Sequence, residues 1–338
     1  MIAPEPSFAH IVAMSDGIGT FEHAEYSLPR VAAGYCTDDM ARVLIAACRA
    51  PVADGVVVAL CRLAYRFLAD AQGVDGRVRN RRSVSGRWQG RRVVEDCWGR
   101  AMWAFGTAAA RAPQDWMRQG AASCFDRGLE QRTSSPRAIS FAALGAAEVL
   151  AVHPRHVGAR RLLADAADVV GRPDRDPTWT WPERRLTYAN AVLAESLIAA
   201  GALLDRPAVL ADGLDALQWL LDRETRDGHM SPTAAGGAGP NDDRSPMFDQ
   251  QPIEAAAMAD ACARAYAVTG EQAWHDGVTR SVEWFLGAND VGVPVGDLDR
   301  GAGYDGLERD GVNRNEGTES TLAMITTLQH ARAMVAVA

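Results

Sequence analysis

Apolar residues recur along this chain at helical spacing, and the alternation that a half-buried strand needs is almost absent. The periodic segments come in pairs with very short connections. They cover 37–50 and 54–70, 93–111 and 114–130, 134–152 and 155–170, 186–204 and 208–223, and 251–269 and 272–287. Ala50-Pro51, Ala112-Pro113, His153-Pro154, Arg206-Pro207 and Thr269-Gly270 mark the breaks within the pairs. Proline at such a break stops one helix and suits the first turn of the next. A last helix, 317–335, has no partner after it, and residues 5–14 supply one if the chain closes on itself.

Six hairpins of this kind predict an all-α fold, an (α/α)6 toroid with six inner helices walled by six outer ones. Pairing of the N-terminal and C-terminal helices closes the ring. An open helical solenoid is the rival architecture. The whole chain, 1–338, reads as a single toroid domain. The links between pairs, 15–36, 71–92, 172–185, 224–250 and 288–316, are long, polar and rich in Gly, Pro, Asp and Trp. In a closed ring they share the face that carries the N-termini of the inner helices. Loops of that length in a compact domain are usually functional, so a cleft is expected on that face.

Composition narrows the chemistry. Against 35 basic side chains stand 43 acidic ones, a net charge of −8, which argues against nucleic acid or an anionic membrane surface as partner. Every basic residue is arginine, so Schiff-base chemistry, a lysine base and the Walker phosphate loop are excluded. The start, Met1 to Pro6, has no basic or apolar signal region, and no apolar run is long enough to span a bilayer, so a cytoplasmic protein is expected. Six cysteines without CxxC spacing read as buried free thiols. Seven histidines without ligand spacing predict no metal, and no dinucleotide or hydrolase-elbow motif is present, so no cofactor is expected.

Acidic residues instead gather where inner helices begin. Thr37 is a good N-cap, which puts Asp38 and Asp39 in the first turn of the first inner helix. A lone acid there would serve the helix dipole; two adjacent ones suggest more. Arg42, four residues after Asp38, is expected to pair with it, so that the Asp38 charge raises the proton affinity of Asp39. The second inner helix repeats the pattern with Glu95, Asp96 and Arg100. The fifth opens Asp249-Gln250-Gln251-Pro252-Ile253-Glu254, where Glu254 is either a capping glutamate or a catalytic one. The sixth opens near Asn315, Glu316 and Glu319, with Asp305 and Tyr304 upstream.

Carboxylates and amides around one rim, with aromatic rings, suit a neutral sugar. Trp179 and Trp181 stand in a Pro-flanked loop with Glu183, Tyr188 and Asn190, and are read as stacking platforms. Trp88, Trp98, Tyr35 and His23 are further candidates. The arginines 77, 79, 81, 82, 87, 91 and 92 fall in one link, read most simply as a solvated, mobile loop, and more sharply as a flap or an anion contact.

The segments 34–42 (GYCTDDMAR), 95–106 (EDCWGRAMWAFG), 251–255 (QPIEA) and 305–321 (DGLERDGVNRNEGTEST) resemble a bacterial family of helical-toroid glycosidases. Its members often carry a glycosyltransferase label, which would not describe this chain. The resemblance covers about 8–335 and lies nearest to the α-(1→4)-endomannosidases of mycobacterial methylmannose polysaccharide metabolism. It implies an endo-acting hydrolase of α-mannoside oligosaccharides or polysaccharides, with Asp39 and Glu254 as the catalytic pair. Asp38, Glu95, Asp96 and Glu319 remain competitors by spacing, and Glu316 stands where the family motif has Gln. A phosphorylase or transferase, and a non-catalytic carbohydrate-binding partner of a glycosyltransferase, are the alternatives.

Overall fold

The computed structural model describes residues 3–335 except 175, 177 and 244. Met1 and Ile2 of the N-terminal stretch, and residues 336–338 of the expected domain, lie outside the described residues. The chain forms two compact units, one of Ile11–Val170 with Leu203–Asp205, the other of Met1–His10, Gly171–Ala202 and Arg206–Ala338.

The first unit begins in the short helix α1 (Ala9–Ala13), whose first two residues belong to the other unit. A hairpin of β1 (Ala24–Glu25) and β2 (Leu28–Pro29) and a strand β3 (Tyr35–Cys36) then lead into α2 (Thr37–Arg49). The helix pairs follow: α2 with α3 (Gly55–Ala71), α4 (Asp96–Arg111) with α5 (Asp115–Gly128), and α6 (Pro136–Val152) with α7 (Val157–Val170). Ala50 ends α2 with an extended ψ of 133°, as a residue before proline should. Asp54 caps α3 by accepting from the Val57 N–H at 2.8 Å.

The helices differ in how they are clothed. Cys97–Ala108 of α4 and Arg137–Leu150 of α6 are buried on every side, whereas α5 and α7 bury one face. Glycines let α4 and α6 meet backbone to backbone. A Cβ on Gly106 would stand 2.1 Å from the Gly145 carbonyl oxygen, so no side chain fits there.

The second unit pairs α8 (Ala191–Leu203) with α9 (Pro207–Arg223) and α10 (Pro252–Thr269) with α11 (Gln272–Phe285), and ends in α12 (Thr318–Val335). Residues 3–10 pack against this last helix. Arg332 donates to the Ala3 carbonyl at 3.1 Å, and His10 Nε2 meets the Glu316 carbonyl at 2.8 Å. Of the helix expected over 5–14, only Ala9–Ala13 is helical, and residues 3–8 carry no regular structure.

The mostly helical fold expected from the sequence is present, with short strands added between the helices. The links carry short hairpins: β4 (Arg81–Arg82) with β5 (Trp88–Gln89), β6 (Thr225–Arg226) with β7 (His229–Met230), β8 (Gly296–Asp297) with β9 (Ala302–Gly303), and β10 (Gly306–Glu308) with β11 (Gly311–Asn313). Pieces of two or three residues are too short to show a period in sequence. The fourth pair also starts later than 186, because residues 186–190 form a turn with its own purpose. Among the described residues, no helix is long and apolar enough to cross a membrane.

Candidate functional site

In the first unit, strand β3 delivers the chain straight into the Asp38–Asp39 turn. It pairs with β4, Tyr35 opposite Arg82 and Cys36 opposite Arg81, and β4 pairs with β5. The arginine-rich link is thus an ordered three-stranded patch, not a loose loop. It grips the helix start directly. The Thr37 hydroxyl donates to the Arg79 carbonyl at 2.7 Å, and the Thr37 N–H donates to the Asn80 carbonyl at 2.8 Å.

The N-cap is Cys36, not Thr37. Its sulfur accepts from the Asp39 N–H at 3.4 Å, and its thiol donates to Asp39 Oδ2 at 3.1 Å. Burial, reinforced by the Asp39 and Asp38 charges, pushes the Cys36 thiol well above its usual range, so it stays a donor. Asp39 is 2% exposed, and its Oδ1 accepts from Arg42 at 2.6 Å. Arg42 therefore serves Asp39 rather than Asp38, which reverses the pairing expected from sequence. The N-cap turns Asp39 inward, where Arg42 meets it at three residues' spacing.

Asp38 has different company. Arg100 Nε stands 3.6 Å from its Oδ1, which makes no hydrogen bond. Burial holds its carboxyl above the usual range, against the guanidinium charges of Arg100 and Arg42; the Asp96 charge also raises it, and a hydrogen bond with the Asn80 side chain lowers it. The sequence reading expected a raised proton affinity at Asp39; burial gives one to its neighbour Asp38. Arg100 also lies 3.9 Å from the centroid of Phe141, a cation–π contact that fixes it in place.

The second unit holds Glu254 in the first turn of α10, after Pro252 at the start. Its carboxylate is 4% exposed and tightly bound. Oε1 accepts from the Ala189 N–H at 2.5 Å, and Oε2 accepts from both the N–H and the side-chain amide of Asn190 at 3.1 Å. The turn before α8 exists to make this clamp. The Asn190 oxygen accepts from the Thr187 N–H at 2.9 Å, and Ala189 sits at φ 45°, a left-handed conformation that a non-glycine residue adopts at a cost. Three N–H donors and a helix N-terminus suit an ionised carboxylate.

Other expected contacts are placed differently. Trp179 and Trp181 are 6% and 1% exposed, packed against Trp219 at 5.0 and 5.9 Å between ring centroids. They are core residues rather than platforms, because α9 supplies an indole and the Arg223 guanidinium to cover them. Glu183 serves that cluster through its carbonyl, which accepts from Trp179 Nε1 at 2.7 Å. Tyr35 is fully buried between Phe21 and Phe67 and donates to Asp16 at 2.5 Å, so it too is packing. His23, Glu95 and Asp249 are exposed, as is Tyr188 beside the Glu254 clamp.

Asp96, Gln251, Asn315 and Glu319 are half-buried near helix starts. Asp305 organises the start of α12, accepting from the Gly317 N–H at 2.8 Å and the Ser320 hydroxyl at 2.9 Å. Glu316 is buried and ion-paired with Arg300. One metal-sized cluster stands among the described residues, Glu22, Cys36 and Asp39. Arg81 pairs with Glu22 and Arg42 with Asp39, so a cation would have to displace two guanidinium groups.

Sequence reasoning missed three groups. Asn80 lies in a link read as arginine-rich and nothing more. Asp290 accepts from Ser231 and Gln250, each at 2.6 Å, and faces His229 at 3.1 Å. Glu224 is buried beside a polar cleft of about 350 Å³ that Arg226, Ser231, Thr233 and Asp243 also line. Only the lengths of the links 288–316 and 224–250 hinted at the last two.

No protein-family model matches the chain, and no curated protein matches it. Solved structures do. A sugar epimerase from a ruminal bacterium is 12% identical with a TM-score of 0.69, over 96% of this chain and 95% of that one. A D-mannose isomerase is 9% identical with a TM-score of 0.69, over 96% and 95%. The α-1,6-mannanase of Salegentibacter sp., solved as an inactive variant with two consecutive aspartates changed to asparagine and in complex with α-1,6-mannotriose, is 8% identical with a TM-score of 0.63, over 96% of each chain. Such likeness carries the fold alone: this chain is an (α/α)6 toroid, with twelve helices among the described residues.

Proposed function

We propose that the protein is a glycoside hydrolase that cleaves within α-mannoside chains by a two-carboxylate mechanism, with Asp39 and Glu254 as the catalytic pair. Asp39 donates a proton to the glycosidic oxygen as the bond to the anomeric carbon breaks. Glu254 takes a proton from the water that attacks that carbon, with inversion of configuration. The observation that carries the reading is the clamp on Glu254: three N–H donors at a helix start favour the ionised carboxylate, as a base requires. The sugar-active enzymes that share the fold, one of them an α-mannanase, support the substrate class.

One observation favours a second assignment within the acidic pair. Arg42 donates to Asp39, whereas burial raises the proton affinity of Asp38, which favours Asp38 as the donor. Asp38→Asn and Asp39→Asn, compared on leaving groups of differing acidity, separate the two. The variant lacking the acid loses activity steeply on poor leaving groups and little on good ones.

The test of the function is incubation of purified protein with α-1,4- and α-1,6-linked manno-oligosaccharides and gluco-oligosaccharide controls, with products followed by anomer-resolved NMR. Shortened manno-oligosaccharides of inverted anomer support the proposal. Phosphorylated sugars formed only with phosphate present would make it a phosphorylase. Epimerised or isomerised sugars of unchanged length, or sugar bound without turnover, would overturn it.

A further inference from the structure

All six cysteines are buried free thiols, and two of them touch. Cys48, in the last turn of α2, and Cys61, in the second turn of α3, bring their sulfurs to 3.9 Å, a thiol–thiol hydrogen bond. Other cysteines take other partners. Cys36 donates to Asp39, Cys97 faces the Val78 carbonyl, and Cys124 meets the Tyr65 hydroxyl.

The touching pair sits inside one helical hairpin, next to its connection. Residues 51–56 there are exposed, and Cys48 keeps 7% of its surface open, whereas Cys61 is fully buried. A disulfide holds its sulfurs at about 2.05 Å, so these two need to approach by about 1.9 Å, which side-chain rotation can supply. The hydrogen bond also sets their reactivity. With Cys48 as donor, it holds the Cys61 thiol below its usual range, against burial. The same bond, together with burial, holds Cys48 well above that range. The thiolate, the form that attacks an oxidant, is thus favoured on Cys61, and the proton on Cys48.

We propose that Cys48 and Cys61 are a redox-sensitive pair that a peroxide closes into a disulfide. The Cys61 thiolate attacks one peroxide oxygen, the O–O bond breaks, hydroxide leaves, and Cys61 becomes a sulfenic acid. The Cys48 sulfur then attacks the Cys61 sulfur. The S–S bond forms as the sulfenic hydroxyl departs with the Cys48 proton as water. Two electrons pass from the two sulfurs to the peroxide, and a dithiol reductant returns them. The bond fastens the last turn of α2 to α3, at the opposite end of α2 from Asp38 and Asp39, so the outcome is independent of the hydrolase reading.

The test is treatment of the reduced, folded full chain with hydrogen peroxide, followed by thiol counting and tryptic mapping without reductant. Trypsin cuts after Arg42, Arg49 and Arg62, so Cys48 and Cys61 fall in separate peptides, 43–49 and 50–62. The expected result is loss of two of the six thiols and joining of those two peptides, both reversed by dithiothreitol. Cys48→Ala and Cys61→Ala should each abolish the joined product, and Cys262→Ala, in the other unit, should leave it unchanged. The native chain carries the main readout, so the outcome stands even where a variant fails to fold. Survival of all six thiols in the folded native chain, earlier loss of other cysteines, or peptides that join only after unfolding in urea would overturn the proposal.

Discussion

Arg42 donates to Asp39 at 2.6 Å, although Asp38 stands at the four-residue spacing that usually attracts an arginine. The N-cap decides this: Cys36 takes both the N–H and one carboxylate oxygen of Asp39, leaving the other to Arg42. Removing the cation strands a buried charge. Arg42→Gln is expected to cost about 3–5 kcal/mol in urea unfolding at pH 7. Asp39→Asn added to it should recover part of that loss. Additive losses in the double variant would show that the pair does not couple.

Asp38 predicts the opposite sign. Burial raises its proton affinity in the folded state above that of the unfolded chain, so its contribution to stability is present below about pH 3.9 and is lost as pH rises through its folded value. Asp38→Asn should therefore stabilise the protein at pH 7 and do so progressively less on acidification. A stability gain that does not vary with pH, or a loss at pH 7, would contradict the assignment of burial as the dominant influence.

Asn190 is a positioning residue for the base. It supplies the side-chain amide and one N–H to Glu254 Oε2, and only the amide is removed by Asn190→Ala. Loss of a hydrogen bond to a charged group weakens the anion by about 1.5–3 kcal/mol. On the hydrolase reading, kcat falls about tenfold or more, KM changes little, and the acid limb of the pH–rate profile moves to higher pH. Glu254→Gln falls further, by roughly 10²–10⁴. An unmoved profile in Asn190→Ala would leave it a purely structural residue.

Trp181 separates core from platform by a different measurement. With 1% exposure and Trp219 stacked on it at 5.9 Å, Trp181→Ala should destabilise the protein by about 3–5 kcal/mol. Trp181→Phe should recover much of this. A stacking platform would behave otherwise, losing oligosaccharide affinity at nearly unchanged unfolding midpoint.

The helices were legible because burial writes a period into a sequence over ten or more residues. Their breaks were legible because proline cannot continue a helix. Pro252 placed Glu254 in a first turn for the same reason; Thr37, read as a cap, placed Asp38 and Asp39 in one, although Cys36 is the cap. What lay hidden depends on contacts far apart in sequence. The clamp on Glu254 reaches back 65 residues to Ala189, an alanine in a conformation that composition would assign to glycine. The Thr37–Arg79 bond spans 42 residues, through strands too short to leave an alternating pattern. Trp179 and Trp181 looked exposed from their Pro-rich surroundings, and only Trp219 on a distant helix shows that they are not. The Arg42 pairing failed for a local reason, since spacing permits two partners and the cap selects one.

Glu224 should make stability depend on pH near neutrality. Its carboxyl is 2% exposed, and burial pushes it up to about 6 from an ordinary 4.5, against hydrogen bonds from the Thr233 hydroxyl and N–H. Between those two values the folded protein binds more protons than the unfolded chain. Stability from this group is therefore complete below about pH 4.5 and declines as pH rises to about 6, by roughly 2 kcal/mol in all. Glu224→Gln keeps an acceptor for the Thr233 N–H, which donates at 3.0 Å in the native protein, and removes the titration. The expected result is a difference in unfolding free energy between variant and native protein that grows in the variant's favour from pH 4.5 to 6 and is flat above 7. A difference that stays constant across this range would mean that folding does not raise the proton affinity of Glu224.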